Sequence, residues 1–277
     1  MDKYSIAFSN DSTLLAATQD PNEILIIDTH TKKTVQRHTH TSDITHIAFT
    51  KDNHIVIGDT NGQTIIFNAT FDIQQFFQTQ SVRTLTISPQ MDWIAIVSDQ
   101  IHMFSIPDSK PMYTVKGTYN AIACSSDGAW FAFGGSSCSL ILYHNHNKKC
   151  EFSQAHIVTS VGFSKTGYVL AAGNDRGTSN IYDINTLTKL HTFKQREQIT
   201  NIVFHNSNVF GVSTIINILA SPLILKKGHI IFYDVKEKKM IEEQEYNHWV
   251  TNIDISTKGH VAFSDQTGDI YLYTIKN

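Results

Sequence analysis

Val158–Lys165 reads VTSVGFSK, and its recurrence decides the fold. Apolar residues alternate with small ones, an aromatic closes the run, and a serine follows. The same shape returns as YSIAFSND from Tyr4, ITHIAFTK from Ile44, VRTLTISP from Val82 and YNAIACSSDG from Tyr119, then as ITNIVFHN from Ile199 and VTNIDIST from Val250. The equivalent residues are Phe8, Phe49, Ile87, Cys124, Phe163, Phe204 and Ile255, separated by 41, 38, 37, 39, 41 and 51 positions. A fixed period of this size marks a repeat architecture and outranks any local propensity.

Working outward, each copy continues in the same way. A second run follows (LLAAT, HIVIG, WIAIV, WFAFG, YVLAAG, NVFGV, HVAFS), then a polar turn, then a third (EILIID, QTIIFN, QIHMFSI, SLILYH, SNIYDI, HIIFYDV, DIYLYTI). Most copies add a looser fourth, such as KTVQRHT, KPMYTVK or KLHTFKQ. Short period-two runs separated by Asn, Asp and Gly turns predict β-strands throughout, and no helix is expected. Seven units of about 40 residues, each of four strands, predict an all-β, seven-bladed β-propeller. One domain spans 1–277, with blade limits near 3–41, 42–80, 81–117, 118–155, 156–196, 197–247 and 248–277.

The pattern resembles the WD40 repeat family over essentially the whole chain. The family's Trp-Asp pair is met as Tyr182-Asp183 and Tyr233-Asp234, and elsewhere as Ile27-Asp28, Phe67-Asn68 and Tyr143-His144. Its loop histidine is matched by His40 alone. Its turn aspartate aligns with Asn61, Arg176 and Thr267, although Asp59, Asp175 and Asp265 lie close by. The resemblance implies a rigid platform for assembling proteins, with a histidine–aspartate network missing from most blades. In such rings an N-terminal strand completes the last blade. Here Met1–Lys3 precede the first repeat, and no fourth run follows DIYLYTI. The last blade is expected to have three strands, unless the chain continues or a partner adds a strand along Tyr271, Tyr273 and Ile275.

Repeat six is about ten residues longer than the others, by the spacing pattern that defines the repeat. The excess is INILASPLILKK, Ile216–Lys227, between the second and third runs. In the family's geometry this connection shares a face with the loops that join blades. A loop carrying Leu219, Leu223 and Leu225 beside Lys226 and Lys227 must cover something, dimerise or receive a partner. A local lid and an extra strand pairing within the chain are equally open. Other candidates for the same face precede or begin the first strands: Asp43, Arg83, Tyr119, His156, Gln198, His248 and Trp249. Arg176 joins them from a turn, and Trp249 could instead pack between blades.

Chemistry that the sequence disfavours narrows the rest. Charged residues make up 17% of the chain and the formal net charge is -3, so no field built for phosphate backbones is present and no direct nucleic-acid partner is expected. Cys124, Cys138 and Cys150 form no paired spacing, which points to a reducing compartment, cytoplasm or nucleus. MDKYSIAFSNDS lacks a basic-then-apolar leader. Val209–Leu225 is apolar enough to raise a membrane helix, yet Asn217, Pro222 and its β-branched residues favour strand. HNHNKKC offers His144, His146 and Cys150 to a metal, but on an edge turn where the histidines alternate, so no metal or cofactor is expected. GGSS, Gly134–Ser137, lacks the strand–loop–helix context of a phosphate site. The expectation is therefore a non-enzymatic scaffold or adaptor subunit that binds protein on one face. The alternatives are an enzyme or small-ligand binder using a central channel, and a membrane-surface adaptor acting through the insert.

Overall fold

The computed structural model describes residues 4–274 apart from 196, 207 and 221–222, and describes only the backbone at 215–220 and 223–226. Among these residues every regular element is a strand, and the strands form seven antiparallel sheets. The first sheet holds β1–β4 (Ile6–Phe8, Leu14–Thr18, Glu23–Asp28, Thr34–Thr39) and the second β5–β8 (Ile44–Phe49, Ile55–Asp59, Gln63–Phe67, Ile73–Gln78). The third holds β9–β12 (Thr84–Ile87, Trp93–Val97, Ile101–Ser105, Pro111–Val115) and the fourth β13–β16 (Tyr119–Cys124, Trp130–Gly135, Ser139–His144, Asn147–Ser153). The fifth holds β17–β20 (Val158–Phe163, Val169–Asn174, Thr178–Asp183, Thr188–Lys194) and the sixth β21–β24 (Gln198–Phe204, Val209–Ala220, Leu223–Asp234, Lys239–Tyr246). The seventh has three strands, β25–β27 (Val250–Ile255, His260–Asp265, Ile270–Thr274), as expected; Ile275 lies outside the described residues.

Local chemistry makes these meanders. Among the described residues the second strands are almost wholly buried, as in IVIGD and WIAIV, whereas the fourth strands mostly mix exposed and half-buried residues. The strand buried on both faces reads as a continuous apolar run, and the edge strand alternates. The Asp of the expected Trp-Asp pair closes the turn into the fourth strand. Asp28 Oδ1 accepts the Thr31 N–H at 2.7 Å and Asp183 Oδ1 the Asn185 N–H at 2.7 Å, the behaviour of an Asx turn.

The chain divides into two compact units. One comprises Met1–Tyr119, Asp254–Ser264 and Gly268–Asn277; the other comprises Asn120–Ile253 and Asp265–Thr267. In the first, Ile24, Ile26, Ile47 and Ile57 form one apolar core across two consecutive sheets, and Val56, Ile66, Val82 and Ile94 form the next. In the second unit, Leu140, Leu142, Val158 and Leu170 do the same, followed by Ile181, Ile199, Phe210 and Val212. Full burial of each such side chain contributes about 1.5–3 kcal/mol, so sheet-on-sheet packing rather than any signature residue carries the fold.

Close approach is enforced at one repeated position near the end of the second strand. A Cβ on Gly58, Gly134 or Gly173 would lie 2.6, 2.7 and 2.6 Å from the side chains of Val82, Val158 and Ile199, which lie at or within two residues of the start of the following sheet. Polar ties join the same neighbours. Thr159 Oγ1 donates to the Ile199 carbonyl at 2.7 Å, and Asn120 Nδ2 to the Val158 carbonyl at 3.4 Å. Within the first unit, the N-terminal sheet meets residues of the last repeat. The Phe8 N–H donates to Asp254 Oδ2 at 2.8 Å, and Ser264 Oγ donates to the Tyr4 carbonyl at 2.9 Å.

Candidate functional site

At one end of each sheet the chain arrives from the preceding repeat and the second strand turns into the third. Backbone hydrogen bonds hold these segments together: Thr60 N to Asp43 O at 2.9 Å, Asp175 N to Ile157 O at 3.1 Å, and Gln266 N to Trp249 O at 3.0 Å. Within the individual sheets these segments carry most of the residues singled out from sequence, and the sheets finish them in different ways.

The second sheet finishes it with a closed polar network. His40 Nε2 donates to Asp59 Oδ2 at 2.9 Å, Ser42 Oγ donates to the same oxygen, and the Gln63 N–H donates to Asp59 Oδ1 at 2.7 Å. Asp59 is fully buried. The expected alignment of the network aspartate with Asn61 is corrected here: the group is Asp59, which ends β6 opposite Ile44, two residues before Asn61. A buried carboxylate must be paired, and a lone Asp closing the apolar run IVIGD was the signal that could have placed it.

The fifth and sixth sheets lack this network. Asn174 and Thr214 occupy the Asp59 position, opposite Val158 and Ile199. Glutamines replace the histidine. Gln154 turns instead to Tyr182 and Asn180, with Nε2 donating to the Tyr182 hydroxyl at 2.7 Å and Oε1 accepting from Asn180 Nδ2 at 2.8 Å. Among the described residues, Asn174 Nδ2 and Thr214 Oγ1 are buried without a hydrogen-bond partner.

The sixth sheet differs further. The pairing of β21 with β22 stops at Gln198↔Ile215, and that of β24 with β23 at Gly228↔Tyr246. Between β22 and β23 the register runs on from Ile216↔Lys227 to Ala220↔Leu223. The insert is therefore a two-stranded ribbon projecting beyond its sheet, which explains how so apolar a stretch keeps its backbone paired. Of the stretch considered for a membrane helix, Val209–Ala220 and the residues from Leu223 are strand, and among the described residues no helix is long and apolar enough to cross a membrane. The side chains of Leu219, Leu223, Leu225 and Lys226 lie outside the described residues. Lys227 pairs with Glu245, and His229 Nδ1 lies 2.8 Å from Glu243 Oε1, so charged groups clamp the ribbon's base to β24. The Lys227 ammonium beside Glu245 holds that carboxyl below its ordinary range. Gly228, which sequence reading passed over, is essential to the geometry. A Cβ there would lie 2.6 Å from the His248 carbonyl oxygen and 2.7 Å from the Val250 nitrogen.

Asp43 and Arg83 are exposed in the first unit, and His156, Arg176, Gln198 and His248 in the second. Arg83 also reaches the Tyr119 carbonyl, with Nη1 at 3.5 Å. Two of the residues expected at this face are buried. Tyr119 is 6% exposed because it leads β13 in the place Ile44 and Val158 take in theirs, and its hydroxyl donates to the Lys116 carbonyl at 2.9 Å. Trp249, just before β25, is likewise 6% exposed, as the alternative of packing between blades expects. On the three-stranded sheet, Tyr271 is 38% exposed and stacks on Phe263 with ring centroids 4.5 Å apart, while Tyr273 meets Phe263 edge-on.

Groups suited to chemistry are dispersed. Among the described residues no three His, Cys, Asp or Glu side chains are grouped to hold a metal. His144 packs on Trp130 at 4.2 Å and His146 on Phe131 at 6.0 Å, so adjacent strand residues draw the two rings apart. The three cysteines are free. Burial, and secondarily the Asp127 carboxylate, pushes the Cys124 thiol up to about 12, far from a reactive thiolate.

No family model and no curated protein matches the sequence. Solved structures do match the fold. The β-propeller domain of Cps50 (Swd1) from Myceliophteria thermophila is similar with a TM-score of 0.85 at 13% identity, over 100% of this chain and 97% of that one. A chain of a mitotic checkpoint complex is similar with a TM-score of 0.81 at 13% identity, over 98% of this chain and 86% of that one. With six four-stranded sheets and one of three, the chain has the fold of a seven-bladed, WD40-like β-propeller.

Proposed function

We propose that this chain is a non-enzymatic scaffold, a subunit that holds a partner protein at the end of the sheets where the sixth blade carries its ribbon. The observation that carries the reading is the ribbon itself. It is apolar in sequence and extends five paired positions past the last residue of β21 that pairs with β22. Exposed Arg176, Gln198 and His248, with half-buried Lys227, would form the polar rim of the contact, with Trp249 supporting it from below. Burying each of Leu219, Leu223 and Leu225 would contribute about 1.5–3 kcal/mol before the cost of association, enough to anchor a specific contact. One of the similar solved folds belongs to a multiprotein complex, and the free cysteines suit a reducing compartment.

The test is affinity capture from native lysate. Wild type is compared with a chain carrying Leu219→Ser, Leu223→Ser and Leu225→Ser, after both are shown to fold. Loss of one discrete set of proteins is expected; an unchanged set would overturn the reading.

A further inference from the structure

We propose that the partner binds by adding an extended strand to the edge of β22 at 216–220, in line with β21, and that an acidic residue of that strand meets Arg176. This rests on the scaffold reading and specifies how the ribbon is used. Beyond Ile215 no strand of the described residues lies on the β21 side of β22, although β22 remains paired to β23 up to Ala220. Backbone N–H and C=O groups of alternate residues there present a template for a further strand.

The ribbon has a second edge, along β23 at 223–227, and the sequence separates the two. Lys226 and Lys227 stand on β23, and lysines on an edge strand oppose strand addition. No charged residue occurs anywhere in β22, VFGVSTIINILA. The unguarded edge is therefore the one that continues the line of β21.

The surroundings specify the occupant. An added strand would run on from Gln198, the first residue of β21. Beside that point lies the turn of the fifth sheet, since a Cβ on Gly177 would sit 2.5 Å from the Gln195 carbonyl oxygen and 2.6 Å from that of Glu197. This brings exposed Arg176 next to the start of β21, and among the described residues Arg176 forms no ion pair. His156 is exposed on the same turn's other flank, where Ile157 accepts the Asp175 N–H. The adjacent Glu197 lies near Tyr233, where it adds to the burial that pushes the phenol up to about 12. A second copy's β22, with no carboxylate, has nothing to offer Arg176. An apolar segment of another protein carrying Asp or Glu fits both the edge and the guanidinium, which binds carboxylates with two parallel donors.

A displayed library of random linear peptides, selected on the wild-type chain, supplies the probe. Selected peptides are expected to alternate apolar and β-branched residues around at least one Asp or Glu. Methylating their backbone nitrogens one at a time should weaken binding about tenfold at every second position and leave the intervening ones unchanged. Arg176→Glu should weaken binding by a similar factor, and replacing 217–226 by an Asn-Gly turn should abolish it while leaving the sheet intact. Uniform sensitivity to methylation, or indifference to Arg176→Glu, overturns the proposal. So does a wild-type dimer in sedimentation that the shortened turn converts to monomer, which would assign the edge to a second copy. Peptides that require Leu219, Leu223 and Leu225 without the alternation overturn strand addition and leave the scaffold reading standing. A selection yielding no peptide that depends on this end of the sheets overturns both.

Discussion

The second and sixth sheets solve the same structural position in opposite ways. In the second, Asp59 gathers His40, Ser42 and the Gln63 N–H, and the end of the sheet is closed by charge-assisted bonds within the chain. In the sixth, Thr214 stands in that place with its hydroxyl unpaired among the described residues, and the strands continue outward. Both ends sit on equally buried apolar sheets. The fold is thus indifferent to the network, and a blade without it is free to carry a binding element.

The largest effect should come from breaking the closed end. Asp59→Ala leaves His40, Ser42 and a backbone N–H without their acceptor, and should cost about 3 kcal/mol in denaturant unfolding. A loss under about 1 kcal/mol would make the two ends energetically alike and remove the contrast. Next, Gly228→Ala forces β23 away from the His248–Val250 backbone. A loss of about 2 kcal/mol is expected, with faster amide exchange at Trp249 and Val250, because the obstruction is main chain that cannot repack. Unchanged exchange there would detach the ribbon's base from the last repeat. The open end predicts the reverse sign: Thr214→Val removes an orphaned hydroxyl at constant shape and should be neutral or stabilise by up to about 1 kcal/mol. A destabilisation above that would reveal an unseen partner for Thr214.

The smallest effect concerns pH. His38 stacks on Phe71 at 4.3 Å, and burial, with a contribution from the nearby His40, holds its pKa below the ordinary 6.5. The unfolded chain therefore binds the proton more readily. Stability from this group is complete above pH 6.5 and is lost as the pH falls toward the native value. His146, depressed by burial, acts in the same direction. His38→Phe should flatten the acid slope of the unfolding midpoint, and an unaltered slope would assign it to other groups.

Much of the fold was legible because period-two runs recur at a nearly constant spacing, and because Asp and Asn at the Trp-Asp positions close turns that backbone chemistry demands. The three-stranded last sheet followed from counting runs. The site was less legible, for physical reasons. Tyr119 and Trp249 look like contacts in a one-dimensional list, but residues that lead a strand or lie just before it are covered by their neighbours. Asp59 sits at the end of β6, two residues before Asn61, so the network acid is a strand residue rather than the turn residue that the alignment points to. Gly228 was invisible, since only the packed backbone of His248 and Val250 shows why a side chain is forbidden there.

The central claim is that the ribbon end of the sixth sheet holds a protein partner. Hydrogen exchange on the captured complex, compared with the free chain, tests it most directly. The account predicts new protection confined to 156–157, 175–177, 197–198 and 215–228, with 248–250 following. Protection instead at the opposite ends of the sheets, in the turns at 10–13, 51–54, 126–129 and 165–168, would contradict it.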